Sequence, residues 1–199
     1  MEQLKLKIKG ITPLITHNNQ TANPLNKYSK ALKPLTAKRK KTDTDHQLIA
    51  RVEWEAGLYL HDGVVVMPAR CLEATFWAAA KKTKDGKKWQ SGAMVDNDFC
   101  EIKYTGPQVK CKENGHIPNT GLDKYYERLS FQEIVKVSNA QIVRTRPIFE
   151  GWEFECTVNF DENVLDRRTV HDIADTAGRY IGLCERRPRM GRFEVEVLN

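Results

Sequence analysis

Five arginines, Arg179, Arg186, Arg187, Arg189 and Arg192, lie near the end of the chain with a single acid, Glu185, among them. A guanidinium is planar and always charged, and its fork of N–H donors fits two phosphate oxygens or stacks on a base. Arg144 and Arg146 are two residues apart, which on an extended chain puts both on one face. A third basic group, Lys27, Lys30, Lys33, Lys38, Arg39, Lys40 and Lys41, occupies a stretch with no acid between Lys27 and Lys41, and Tyr28 within it offers a ring for base stacking. The chemistry these residues suit is neutralisation of a phosphate backbone. A competing explanation for Arg186 and Arg187 is pairing with the acids between Asp161 and Asp175, which would only pin the last strand.

Catalytic constellations are sparse by comparison. His17, His46, His61, His116 and His171 show no metal-ligand spacing, and Cys71, Cys100, Cys111, Cys156 and Cys184 never form a C-x-x-C pair, so neither metal nor cofactor is expected. A metal-independent ribonuclease needs a general base, a general acid and a cation at the phosphorane, and His17, Tyr28 and a nearby lysine are the candidates. Non-enzymatic binding is the first expectation and cleavage the alternative.

The elements that must hold these groups follow from periodicity. Leu4, Leu6 and Ile8 alternate with Lys5, Lys7 and Lys9, the pattern of a half-buried strand with a lysine face that adds basic surface. From Asn18 to Asp45 periodicity is lost, and this long basic insertion is read as a solvated loop or as a finger that orders on phosphate. Asp45 caps a helix over 46–56, and Asp62-Gly63 turns a hairpin over 58–66. Pro68 opens a second helix to about Lys82, with Leu72, Phe76, Ala79 and Ala80 inward. The basic turn 81–88 precedes Trp89, a second stacking candidate, and a strand is expected over 99–104. Residues 111–124 read as a surface loop with turns at Asn114-Gly115 and at 119–121.

Strand segments follow at 131–137 and 141–144, then a turn at Glu150-Gly151 and a half-buried strand from Trp152 to Phe160. Val170, Ile173, Ala174, Ala177 and Ile181 mark a last helix, and Phe193 to Val197 a last strand, with Pro188 and Gly191 requiring a turn between them. Strands and helices in this order suit an α+β fold, an RRM-like or ferredoxin-like antiparallel sheet with two or more packed helices and long insertions. The chain is read as one domain, 1–199, with insertions at about 18–45 and 84–130.

Composition sets the outer bounds. With 199 residues, 40% hydrophobic and 29% charged, the chain can bury a core, and a net charge of +6 favours an anionic partner. The odd, scattered cysteines suit a reducing compartment. No apolar run reaches the roughly 20 residues that span a bilayer. A soluble, cytoplasmic protein is expected.

Two stretches carry a family resemblance. The run from Asp62 to Phe76, in which a hairpin leads to a proline-opened helix, resembles a segment of the RAMP superfamily of CRISPR-associated proteins, particularly its backbone subunits. The glycine-bounded loop from Gly182 before the last strand is similar to that superfamily's C-terminal glycine-rich loop. Arginines replace most of the closely spaced glycines here, and Ala69-Arg70-Cys71 stands where a serine-containing signature is usual. The resemblance implies an RRM-like fold, single-stranded RNA along a groove, and self-association or a multi-subunit complex. A virus-encoded relative that mimics such a subunit and binds protein partners fits the same motifs. RNA is expected ahead of DNA.

Overall fold

The computed structural model describes residues 1–111 and 119–198, with side chains undescribed at 119–122. In chain order the elements are β1 (Glu2–Gly10), β2 (Leu14–Ile15), a 3-10 turn (Asn19–Ala22), α1 (Lys27–Thr36), α2 (Asp43–Ala56), β3 (Leu60–His61), β4 (Val64–Pro68), α3 (Ala69–Lys82) and α4 (Gly86–Gly92). They continue with β5 (Ala93–Val95), β6 (Phe99–Glu101), β7 (Lys103–Thr105), α5 (Asn119–Leu129), β8 (Ser130–Val137), β9 (Ala140–Phe160), α6 (Arg167–Thr176) running into a wide turn at Ala177–Ile181, and β10 (Phe193–Leu198).

The central sheet runs β10-β1-β9-β5, and every neighbouring pair is antiparallel. α3 lies between β1 and β5 in the chain, and α6 between β9 and β10, so two interleaved βαβ units share one sheet. This is an α+β protein with the split βαβ topology the sequence suggested. β5 therefore belongs to the core, although it falls within the stretch read as a second insertion. Beyond it, β2, β7 and β8 also pair with β9, while β3, β4 and β6 make a small second sheet.

One face of the sheet is packed and the other wet, as alternation demands. Leu4, Leu6 and Ile8 are fully buried, and the register sets Leu6 between Cys156 and Val197 beneath the helices. α3 adds Leu72, Phe76, Ala79 and Ala80, and α6 adds Val170, Ile173 and Ala174. The wet face corrects the expectation of a lysine surface. Lys7 pairs with Glu153 at 3.1 Å and Lys9 with Glu196 at 2.6 Å, because the flanking strands set glutamates beside each lysine. Such exposed cross-strand pairs add little to stability, but they offset the charges of Lys7 and Lys9.

Several local readings hold. Asp62 and Gly63 both have positive φ, 47° and 79°, as the hairpin turn requires, and Pro68 with φ −67° precedes the first turn of α3. Unmarked in the sequence reading, Asp166 caps α6 by accepting from the Thr169 N–H at 2.7 Å. Others change. The cap of α2 is Thr42, with Asp45 three residues on completing a capping box, so the helix begins at Asp43. Gly151, with φ 54°, bends β9 without ending it, and the strand is continuous through what had read as a turn. Residues 119–129 form α5 where a loop was expected over 111–124, and the expected Asn114-Gly115 turn lies outside the described residues.

Candidate nucleic-acid interface

The loop that carries the C-terminal arginines is held by its backbone. Leu183 N–H donates to the Gly191 carbonyl at 2.8 Å, closing the loop at its neck, and Met190 N–H donates to the Arg186 carbonyl at 3.0 Å. On its flank Glu185 N–H donates to Ile15 and Gly191 N–H to Pro13, while Arg192 accepts from Ile11. Gly191 has φ 71°, and a Cβ there would meet the Leu183 carbonyl oxygen at 2.1 Å, so only glycine closes the neck. The sequence signal for a turn at Pro188 and Gly191 was right. The arginines project from a fixed frame, docked on the segment that follows β1.

Beside this loop lies a cavity of about 270 Å³ lined by His17, Asn19, Tyr59, Arg70, Cys71, Ala74, Cys184, Glu185 and Arg187. α3 presents its first turn here, and no side chain caps that turn. The N–H groups at such an end attract anions. Arg70 stands over the Tyr59 ring, with its guanidinium 5.3 Å from the ring centre. Among the described residues neither Arg70 nor Arg187 forms a salt bridge, and both are exposed.

His17 joins this cavity to a second hollow lined also by Asn18, Thr21, Leu32, Glu53, Gly57, Arg144 and Arg146. Its ring Nδ1 lies 2.8 Å from Glu185 Oε1, and its carbonyl accepts from the Tyr59 hydroxyl at 2.9 Å. The His17 hydrogen bond holds the Glu185 carboxyl below the usual carboxylate range, helped by Arg146 and Arg187. In Cys71, interaction with the Cys184 thiol pulls the pKa down to about 7, aided by Tyr59, Arg70 and Arg187 against the opposing effect of burial.

The predicted residues divide sharply. Arg187 lines the first hollow, and Arg144 and Arg146 line the second, so the two arginine groups lie in hollows that share His17. Arg144, however, is ion-paired with the buried Glu53, which also accepts from the Thr145 N–H at 3.0 Å. Arg146 is half-buried and donates to the Thr145 carbonyl. Arg186 pairs with Glu133 of β8 at 2.6 Å, not with the acids of 161–175. Arg189 is exposed at the loop tip, and the Arg192 Nε is buried without a hydrogen-bond partner.

The basic insertion is built differently from either expectation. Asn26 caps α1 through the Tyr28 N–H, and α1 packs on α2, its Leu32 reaching the second hollow. Lys30 and Lys33 are exposed on this helix, Lys27 stands over the Tyr28 ring, and Arg39 and Lys40 are exposed in the following turn. Lys38 pairs with Asp45 at 2.6 Å, and Lys41 donates to the Lys38 carbonyl. Tyr28 is 7% exposed and donates to Glu55, with its pKa pushed up by burial, so it cannot stack on a base. Trp89 is likewise buried, edge-on to Phe76.

Sequence reasoning missed Arg70, Tyr59 and the partnership of Glu185 with His17. Arg70 did lie inside the Ala69-Arg70-Cys71 stretch at a helix start, which was the available signal. Tyr59 and Glu185 carry no local signal, since their roles come from elements far apart in the chain. Among the described residues no three His, Cys, Asp or Glu side chains gather as a metal site, and no helix is long and apolar enough to cross a membrane. Fold and site together define an α+β protein with a split βαβ core and two arginine-lined hollows that share His17. No family model matches the chain, and no curated protein matches it.

Proposed function

We propose that the protein binds single-stranded nucleic acid, RNA in preference to DNA, in the groove that runs from Arg70 and Arg187 past His17 toward Arg146 and α1. The observation that carries this reading is that Arg70 and Arg187, neither in a salt bridge among the described residues, line one cavity at the first turn of α3, which no side chain caps. Two guanidinium groups at the positive end of a helix suit one phosphate, and Lys30, Lys33, Arg39 and Lys40 add exposed positive charge on α1 and the turn after it. The wet face of the sheet has no such role, because Lys7 and Lys9 are matched by glutamates and the exposed positions of β1 and the facing part of β9 bear no aromatic rings. Affinity in this reading comes from backbone neutralisation more than from base stacking.

The resemblance to RAMP backbone subunits favours RNA and assembly of several copies on one strand, within a filament or a CRISPR-type complex. Among the described residues β10 pairs with β1 alone, and its other edge is the place for a neighbour. A gel shift with single-stranded RNA and DNA at two salt concentrations, followed by sizing of the complexes, tests the reading. RNA complexes that weaken as salt rises and grow with strand length support it, and absence of binding to both polymers contradicts it.

One geometric relation supports a second reading, metal-independent RNA cleavage. His17 is oriented by Glu185, as a general base needs, and Arg70 and Arg187 line the same cavity and can neutralise a phosphorane. Tyr28, buried against α2, does not take part. Cleavage of labelled RNA without metal that disappears in His17→Ala supports this reading, and RNA left intact by the wild-type protein removes it.

A further inference from the structure

We infer that Cys71 and Cys184 form an oxidisable thiol pair in the Arg70–Arg187 cavity, in which Cys71 reacts first with a hydroperoxide and Cys184 converts the product to a disulfide. Both residues line the cavity, one from the first turn of α3 and the other from the arginine loop. Their backbones are held close by one side chain, since the buried Thr75 hydroxyl lies 2.9 Å from the Cys71 carbonyl oxygen and 3.4 Å from that of Gly182. The two thiols share the cavity wall, and Cys184 donates to the Met67 sulfur at 3.9 Å.

The surroundings set the order of reaction. Arg70, Arg187 and the Tyr59 hydroxyl all favour the thiolate at Cys71, and the thiolate is the reactive form. Cys184 is pushed the opposite way, chiefly by its interaction with Cys71 and by burial, so it stays a protonated thiol until a partner forms. Cys100 and Cys156 sit in the core with their pKa values raised by burial, and burial also raises that of Cys111.

The chemistry balances with a hydroperoxide as the two-electron oxidant. The Cys71 thiolate attacks one peroxide oxygen, the O–O bond breaks, and the departing oxygen leaves as water or alcohol after taking a proton, giving a sulfenic acid. The Cys184 sulfur then attacks the Cys71 sulfur, the S–O bond breaks, water leaves with the Cys184 proton, and the S–S bond forms. The disulfide ties α3 to the loop that carries Arg187. It forms whether or not the groove binds nucleic acid, so this inference stands or falls independently of that reading.

The test uses the full chain, reduced, freed of reductant and exposed to equimolar hydrogen peroxide before digestion without reductant. The expected product is a peptide pair joined through Cys71 and Cys184. In Cys184→Ser a sulfenic acid at Cys71 is expected instead, captured by a dimedone-type reagent. Iodoacetamide near neutral pH should label Cys71 about tenfold faster than Cys111. Oxidation that begins at Cys111, or wild-type Cys71 driven to a sulfinic acid while Cys184 remains a free thiol, overturns the inference.

Discussion

Glu185 Oε1 lies 2.8 Å from His17 Nδ1 while the Glu185 N–H donates to the Ile15 carbonyl at 3.0 Å, so one residue ties the arginine loop to the segment after β1 through both side chain and backbone. The Glu185 carboxyl is held below its ordinary value of 4.5, first by His17. A carboxylate depressed on folding contributes stability that is fully present above the unfolded pKa and is lost as pH falls through the folded one. Urea midpoints of wild type and Glu185→Gln should therefore differ near neutral pH and converge in acid. A gap that persists unchanged down to about pH 3 contradicts the pairing.

Asp45 gives a second acid-sensitive joint. Lys38 and the capping box with Thr42 bring its pKa down to about 2 from 3.8. The contribution to α2 is present above about 4 and fades as pH falls toward 2. Hydrogen exchange at the first turn of α2 should rise over that window in wild type, whereas Asp45→Asn should exchange fast throughout.

Arg144 and Glu53 form the joint between β9 and α2. Replacing Arg144 with Ala leaves Glu53, which is nearly inaccessible, without its cation, and should cost about 3 kcal/mol in urea unfolding. RNA affinity measured where the variant remains folded should change little. A variant with wild-type stability and abolished binding would reverse the roles assigned to this pair.

Arg186 and Arg187 are neighbours with different assignments. Arg186 is bound to Glu133, while Arg187 lines the cavity. Arg187→Ala should weaken RNA binding about tenfold, the loss of one charged hydrogen-bonding group of ~1.5 kcal/mol, and Arg186→Ala clearly less. Equal losses measured by fluorescence anisotropy contradict the division.

Gly191 closes the loop neck. Gly191→Ala places a Cβ against the Leu183 carbonyl in a left-handed backbone and should cost about 2 kcal/mol or more. Circular dichroism at rising temperature reads this as a lower Tm, and an unchanged Tm contradicts the fixed frame.

The fold was legible where physics is local. Alternation in β1, the Asp62-Gly63 turn and the Pro68 start of α3 each depend on neighbours in sequence. α1 was hidden because Pro34 sits inside it and lysines crowd its surface, and Tyr28 looked free because its cover comes from α2. The site was only half legible for the same reason. Arginine content marked the loop, but the carboxylates that occupy Arg144 and Arg186 arrive from Glu53 and Glu133, far away in the chain. The lysine face of β1 failed similarly, since the glutamates that pair with Lys7 and Lys9 lie on β9 and β10.

The central claim is that Arg70 and Arg187 together hold nucleic-acid phosphate. Its most direct measurement is the salt dependence of single-stranded RNA affinity for wild type and for Arg70→Glu combined with Arg187→Glu. Each lost phosphate contact should flatten the logarithmic slope by about 0.7 on a single strand, so the double variant should bind more weakly with a slope shallower by roughly one or more. The account is contradicted if the folded double variant binds with wild-type affinity and an unchanged slope.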